Sequence, residues 1–383
     1  MLCSRENCTG CFACYNICPR EAITMEEDEY GYIYPIINND KCINCKLCEK
    51  SCPSLNKINL KYPIKCYAAR TKDEAILKKS TSGGIATLLA QKIIENGGVV
   101  YGAAYNDKCE VNHIRIDDIN ELDRLQGSKY VHSYIKDAFQ SVKKDLLTSK
   151  NVLFIGTPCQ VAGLRKYLVK KYDNLYTVDI ICHGVPSQKF LKEEVKRLNN
   201  DSLNIDRVNF RDKEFNCYTF SIVKNKKNIY SQSWNENPYF YTFMDSITYR
   251  ENCYNCLYAK PERVSDITIG DFWGLKYDSI FYNDREKGVS VVLIITDRGN
   301  KLIDLIKSQI NIEEREIDEA INGNTQLRQP SKRSKYVDKF KLIYKKNNFF
   351  YETYRKTCKK HLLKEKIKSI YIVKYLLKYK RGK

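Results

Sequence analysis

No apolar run in this 383-residue chain approaches the ~18 residues of a membrane span, which argues against an integral membrane protein. The N-terminus, Met1-Leu2-Cys3-Ser4-Arg5, lacks the charged-then-apolar pattern of a secretory signal. A cytoplasmic setting is expected, and a disulfide framework is disfavoured with it. Methionine (3 residues) and tryptophan (2) are scarce, whereas tyrosine reaches 29 and cysteine 17. An apolar fraction of 43% excludes a chain disordered throughout. Seventeen thiols in a reducing compartment therefore need a reason other than cross-linking.

Acidic residues are almost missing from the last 53 positions. Residues 331–383 hold 19 Lys plus Arg against Asp338, Glu352 and Glu365, a net of +16 out of the chain's +19. The body is close to neutral, so the basic character belongs to a tail. Cysteine is skewed to the other end, with nine of the 17 in the first 52 residues.

Two runs in that head repeat one spacing: Cys8-x2-Cys11-x2-Cys14-x3-Cys18-Pro19 and Cys42-x2-Cys45-x2-Cys48-x3-Cys52-Pro53. Three thiolates spaced by two residues wrap one iron–sulfur cube from a single loop, and the fourth cysteine of each run reaches the other cube. The rule assigns Cys8, Cys11, Cys14 and Cys52 to the first cube, and Cys42, Cys45, Cys48 and Cys18 to the second. Tetrahedral zinc has no use for the third cysteine or the proline. The head resembles bacterial-type two-cluster 4Fe-4S ferredoxins over about residues 1–56. Between the runs, Ala22 to Met25 and Tyr32 to Ile36 read as a short strand pair around an acidic turn.

Beyond Pro53 the pattern alternates. Strands are expected at 64–70, Val99 to Ala104, Val152 to Ile155 and Leu175 to Ile181. Helices are expected at Ile85 to Ile94, Phe139 to Leu147, Gln160 to Val169 and Phe190 to Leu198, and the run from Tyr134 is read as helical. The fold class is α/β: a ferredoxin-like α+β head, a mixed-sheet α/β core and a helical basic tail. Val208 to Tyr230 reads as an antiparallel addition. The expected divisions are residues 1–56, 62–330 and 331–383. Cys159 and Cys182 each follow an apolar strand, where a parallel sheet gathers ligand sites. With Cys253-x2-Cys256 they supply four thiols, enough for a third cube; ordinary buried cysteines and a zinc or empty pair are the alternative.

Ser82-Gly83-Gly84, Gly127-Ser128-Lys129-Tyr130-Val131, Gly156-Thr157-Pro158-Cys159-Gln160, Cys182-His183-Gly184, Phe210-Arg211-Asp212-Lys213, Cys253-x2-Cys256 and Ser265 to Gly274 occur in order over about residues 64–275. As a series they resemble the beta subunit of the coenzyme F420-reducing hydrogenase and its relatives, iron–sulfur flavoproteins of which some carry an appended ferredoxin. The resemblance implies FAD, a 4Fe-4S cluster in the core and a two-electron acceptor such as a 5-deazaflavin. It also favours the third cube on Cys159, Cys182, Cys253 and Cys256.

A flavin fits the parts, because it converts one-electron traffic into hydride transfer. Ser82, Gly83 and Gly84 open a helix, where free N–H groups and the dipole favour a phosphate. A plain N-cap by Thr81 or Ser82 is the competing reading, since the Gly-x-Gly-x-x-Gly fingerprint is missing. Lys129, Arg211 and Lys213 are candidate contacts to flavin or phosphate, and otherwise surface cations. Asp266 and Asp271 either fix a ribose or a proton path, or cap strand ends. Core packing is expected for Trp273, and a carbonyl partner or proton transfer for His183.

The tail places Ile367, Ile370, Val373, Leu376 and Leu377 at helical spacing among lysines. Packing on the body is preferred over contact with a membrane face or acidic partner, and nucleic acid is disfavoured. The expected function is an iron–sulfur flavoprotein oxidoreductase. Its partners would be a redox protein, such as a ferredoxin or a dehydrogenase or hydrogenase subunit, and a small-molecule or deazaflavin substrate. A non-catalytic electron-transfer subunit is the alternative.

Overall fold

The computed structural model describes residues 2–212 and 218–368. Lys213, Cys217 and most of the amphipathic run at Lys364 to Lys380 lie outside the described residues. In the head, β1 (Ile23–Glu27) pairs antiparallel with β2 (Ile33–Ile37). Asp28 closes the turn by accepting the amides of Tyr30 and Tyr32. The strand pair is the one expected from the acidic turn.

The body opens with β3 (Lys65–Thr71), β4 (Val99–Tyr105), β5 (Val111–Ile116), β6 (Val152–Gly156) and β7 (Leu175–Ile180). A separate antiparallel sheet follows, of β8 (Arg207–Asn209), β9 (Thr219–Lys224) and β10 (Lys227–Ser233). Then β11 (Ile267–Asp271), β12 (Ser290–Ile294) and β13 (Ile310–Arg315) complete an eight-stranded sheet ordered β13-β3-β12-β11-β7-β6-β4-β5. Its centre, β4, β6, β7 and β11, is parallel, and the outer pairings are antiparallel. Val152, Leu153 and Phe154 of β6 are wholly buried, as a central strand covered on both faces requires.

Helices Ile85–Glu95 and Asp297–Ile306 cover one face, with Leu88, Leu89 and Leu302 packed on Val100 and Val292. Ala138–Leu147 and Pro158–Leu168 cover the other, and Phe12, Ala13 and Ile33 of the head join their apolar cluster. The head is thus fixed against the body. The helix expected from Tyr134 begins only at Ala138, because the Tyr134 main chain pairs with Val111 and His113 beside β5. Helices Val337–Asn347 and Phe350–Thr357 cover an aromatic cluster that includes Phe190, Phe240, Tyr344 and Tyr354. Glu193 accepts both the Tyr344 hydroxyl and the Phe350 amide, which ties this part of the tail to the body. No helix among the described residues is long and apolar enough to cross a membrane.

His113 is enclosed, with Nδ1 on the Ser133 hydroxyl and Nε2 on the Ile155 carbonyl. Burial pushes it down to about 4 from an ordinary 6.5. On acidification the unfolded chain protonates first, so this contribution is intact above about pH 6.5 and is lost as the pH falls below it. Between pH 7 and 5 the loss is about 2 kcal/mol. Anaerobic urea unfolding at the two pH values should show His113→Gln losing less stability than wild type by about that amount. Equal pH sensitivity in both proteins would refute the assignment.

Candidate iron–sulfur and flavin site

The two cysteine loops share one backbone trace. Gly10 and Asn44, each two residues after the first cysteine of its run, are left-handed at φ 63° and 53°. So are Phe12 and Lys46, each four residues after it, at φ 63° and 57°. Glycine and asparagine take this conformation readily, while Phe12 and Lys46 adopt it at a cost that native structures tolerate mainly at functional sites. Each loop then enters a short helix, Ala13–Ile17 or Leu47–Lys50.

The trace turns the thiols inward around two cavities. Cys8, Cys11, Cys14 and Cys52 line one. Cys18, Cys42, Cys45 and Cys48 line the other. These are the crossed sets expected from the spacing, with Cys52 and Cys18 exchanged between loops. The remaining walls are largely apolar, with Met25 and Pro35 in the first and Ile23 and Ile37 in the second. Four soft sulfur donors around one cavity suit a thiolate-held cluster. The first set is buried, whereas the second lies at the surface with Cys45 exposed.

Sequence reasoning left Cys3 unassigned, yet it lines the first cavity beside Cys8 and Cys52. Its hydrogen bonds are the main reason that the Cys8 and Cys52 thiols fall to about 6, while Cys3 itself is driven up. Burial pushes Cys11 up to about 12 and raises Cys14 strongly. Metal coordination reverses such shifts, because a ligating thiol is deprotonated outright.

In the body, Cys159 and Cys182 follow the carboxyl ends of adjacent parallel strands β6 and β7. Thr157 caps the helix Pro158–Leu168 in a capping box with Gln160, which sets Cys159 in the first turn. The Thr157 hydroxyl stands 3.1 Å from the Cys159 sulfur. Cys253 and Cys256 come from the short 3-10 segment Glu251–Asn255 and its end. The structure brings all four together. Burial raises every one of them, and Cys182, Cys256 and Cys159 each add repulsion at Cys253. Tyr258 lies between this group and the first head cavity, within electrostatic reach of Cys159, Cys11, Cys256 and Cys52.

Beside Cys182 the other candidates form a connected rim. Arg211 donates to Asp271 at 3.0 Å and lies 4.3 Å over the Tyr218 ring. His183 feels both partners of that pair, although burial dominates and lowers it. Asp271 ends β11 opposite Ser290, whose hydroxyl accepts the Gly83 amide at 2.9 Å. A Cβ on Gly83 would stand 2.2 Å from the Ala69 carbonyl oxygen, so this close approach requires glycine. Thr81 accepts the Ser128 amide and Ser82 donates to the Val289 carbonyl. Neither caps the helix Ile85–Glu95, which begins at left-handed Gly84 with no side-chain cap. Its first N–H groups are therefore without a side-chain partner, which suits an anion.

Two expectations meet a different local geometry. Lys129 Nζ donates to the carbonyls of Arg124, Leu125 and Gln126, closing a helix end, and burial lowers it to about 7. Trp273, expected in the core, is 42% exposed, because its main chain packs against Gly323 and leaves the indole outside. Asp266 is fully buried and serves as a structural hub, accepting from Thr177 and Thr296.

Residues 7–56 match the model of a 4Fe-4S dicluster domain. Residues 66–140 and 149–320 match the N-terminal and C-terminal models of the coenzyme F420 hydrogenase/dehydrogenase beta subunit. A coenzyme F420-dependent sulfite reductase of Methanocaldococcus jannaschii is 22% identical over 335 residues, covering 80% of this chain. The chain spans about half the length of that relative, 47%. An uncharacterized ferredoxin of the same organism is 39% identical over 77 residues, 20% of this chain and 90% of the ferredoxin. Among solved structures, a chain of the F420-reducing NiFe hydrogenase complex from Methanosarcina barkeri overlaps 74% of this chain and 94% of that chain. Its TM-score is 0.47 at 19% identity.

Proposed function

Because the chain belongs to the coenzyme F420 hydrogenase/dehydrogenase beta subunit family and carries a 4Fe-4S dicluster head, we propose that it is an iron–sulfur flavoprotein oxidoreductase. It exchanges electrons between a redox partner protein and a hydride-accepting organic substrate of the deazaflavin class. The observation that carries this reading is the continuous placement of three thiol sets and the Asp271–Arg211–His183 rim within one folded body.

Cys8, Cys11, Cys14 and Cys52 hold the first cube and Cys18, Cys42, Cys45 and Cys48 the second. Cys159, Cys182, Cys253 and Cys256 hold a third. FAD would be held by Ser82, Gly83, Gly84, Arg211 and Asp271, with the start of the helix Ile85–Glu95 suited to a phosphate. When bound, the cubes supply single-electron steps, and the flavin joins them to hydride chemistry. The chain's own part is positional. Ser290 and Ala69 fix the Gly83 backbone, and the Tyr218 ring orients Arg211 towards Asp271. His183, kept neutral by burial, is suited to hold or pass a proton beside that pair. The exposed second thiol set, with Ile43 and Leu47 open to solvent around it, is the docking face for the redox partner.

Anaerobically prepared protein should contain FAD near one per chain and reduce or oxidise F420 with an artificial electron carrier in place of the partner. Protein loaded with clusters but lacking flavin would leave only an electron-transfer subunit, and colourless or zinc-bound protein would overturn both.

A further inference from the structure

Arg250 is fully buried, and its charge has no carboxylate partner among the described residues. Nε donates to the Cys8 carbonyl and Nη2 to the Ile33 carbonyl, both at 2.7 Å. Nη1 has no hydrogen-bond partner among the described residues. The guanidinium lies 4.2 Å from the Tyr34 ring centre. It also reaches the first cysteine loop, since a Cβ on Gly10 would stand 3.4 Å from Cζ and Nη1. The backbone of Arg250 belongs to the other thiol set: its amide donates to Val185, just past Cys182, and its carbonyl accepts from Cys253. The residue is rooted in the body's cysteine loops, and its charge is delivered into the head.

The contrast with Arg263 is informative. That arginine is equally buried near Cys182 and Cys256, but it is paired with Asp179 at 2.9 Å. An unpaired buried cation is strongly unfavourable unless something negative compensates it. His132, which faces the same space, is kept neutral by burial and by Arg250 itself. Tyr34 offers only a ring face. The negative groups within reach are sulfurs: Cys8 in the head and Cys159 in the body both feel the Arg250 charge.

We propose that Arg250 is the fixed counter-charge of the two buried thiolate cofactor sites and raises the reduction potential of the head cube held by Cys8, Cys11, Cys14 and Cys52. This rests on the iron–sulfur reading. A four-thiolate cube is anionic and gains a further negative charge on reduction. A cation held close in a medium of low polarity therefore favours the reduced form. Arginine suits the task because its charge does not titrate in proteins and its fork keeps two carbonyl bonds while one amino group stays open.

The test is an EPR-monitored redox titration of the full chain, with iron content determined on the same samples. Arg250→Gln should shift the reduction equilibrium of the head cube at least tenfold towards the oxidised form, about 59 mV for one electron. Arg250→Lys, which keeps the charge but not the fork, should recover most of that shift. Iron-loaded Gln and wild-type proteins with equal potentials would refute the proposal, as would Lys and Gln variants shifted alike, which would mark a purely structural clamp. If Arg250→Gln fails to hold iron, His132→Glu offers Nη1 a carboxylate while Arg250 remains. The same downward shift is expected there, and an unchanged potential would overturn the proposal. Wild-type protein without iron would instead refute the cofactor reading beneath it.

Discussion

Cys182→Ser should lower the iron content of anaerobically prepared protein from about twelve atoms per chain to about eight, with the head's clusters kept. Cys182 is one of four thiols that come from the ends of β6 and β7 and from the segment Glu251–Asn255. These thiols are within electrostatic reach of one another. Removing one donor should release a whole cube, because serine is a poor ligand for iron in a site built for sulfur. Cys52→Ser is the control. Cys52 belongs by position to the second cysteine run but lines the first cavity, so its loss should remove the cube of the other loop. Loss of the EPR signal of the exposed cube in Cys52→Ser would show that the thiols do not cross between loops. Eight iron atoms in wild type and Cys182→Ser alike would remove the third cube.

Arg211→Met should reduce bound FAD from about one per chain to less than a tenth, a loss of affinity of about a hundredfold or about 2.8 kcal/mol, while iron stays constant. Arg211 is a largely buried cation held by the Asp271 carboxylate and placed over the Tyr218 ring. It faces the rim made by the uncapped helix start at Gly84 and the Gly83–Ser290 contact. Truncating it would remove the guanidinium and leave Asp271 without its partner, and both effects oppose an anionic cofactor. Asp271→Asn should be milder, since an amide keeps a hydrogen-bonding group at the same place. Unit FAD in Arg211→Met would place the flavin elsewhere.

The head was legible because its information is local. A repeated Cys-x2-Cys-x2-Cys-x3-Cys-Pro run specifies both loops and their crossed partners within 46 residues, and the structure closes each predicted set around its own cavity. The α/β alternation was also legible, because β4 and β6 are largely apolar runs of the length that a buried strand needs. The core thiols were grouped by ligand count and by the family resemblance, not by spacing, since the sheet order is what brings the loops after β6 and β7 side by side. Arg250 and Cys3 received no role because nothing in the spacing marks them; their significance comes from contacts with Cys8 over 242 positions and with Cys52 over 49. Lys129 shows how local context stays hidden in sequence. A lysine in a glycine-bearing loop reads as a free cation, yet three carbonyls of the preceding turn already hold it.

The helix Pro158–Leu168 begins beside one thiol set and passes another. At Gly163 a Cβ would stand 3.0 Å from the Cys11 sulfur. Tunnelling weakens exponentially with every ångström of separation, so with a cube bound at each thiol set this bare patch of main chain would set the spacing between them. Gly163→Val would keep all the proposed ligand residues but press Cys11 away from the helix, so iron content should hold while electron transfer between the two sets slows.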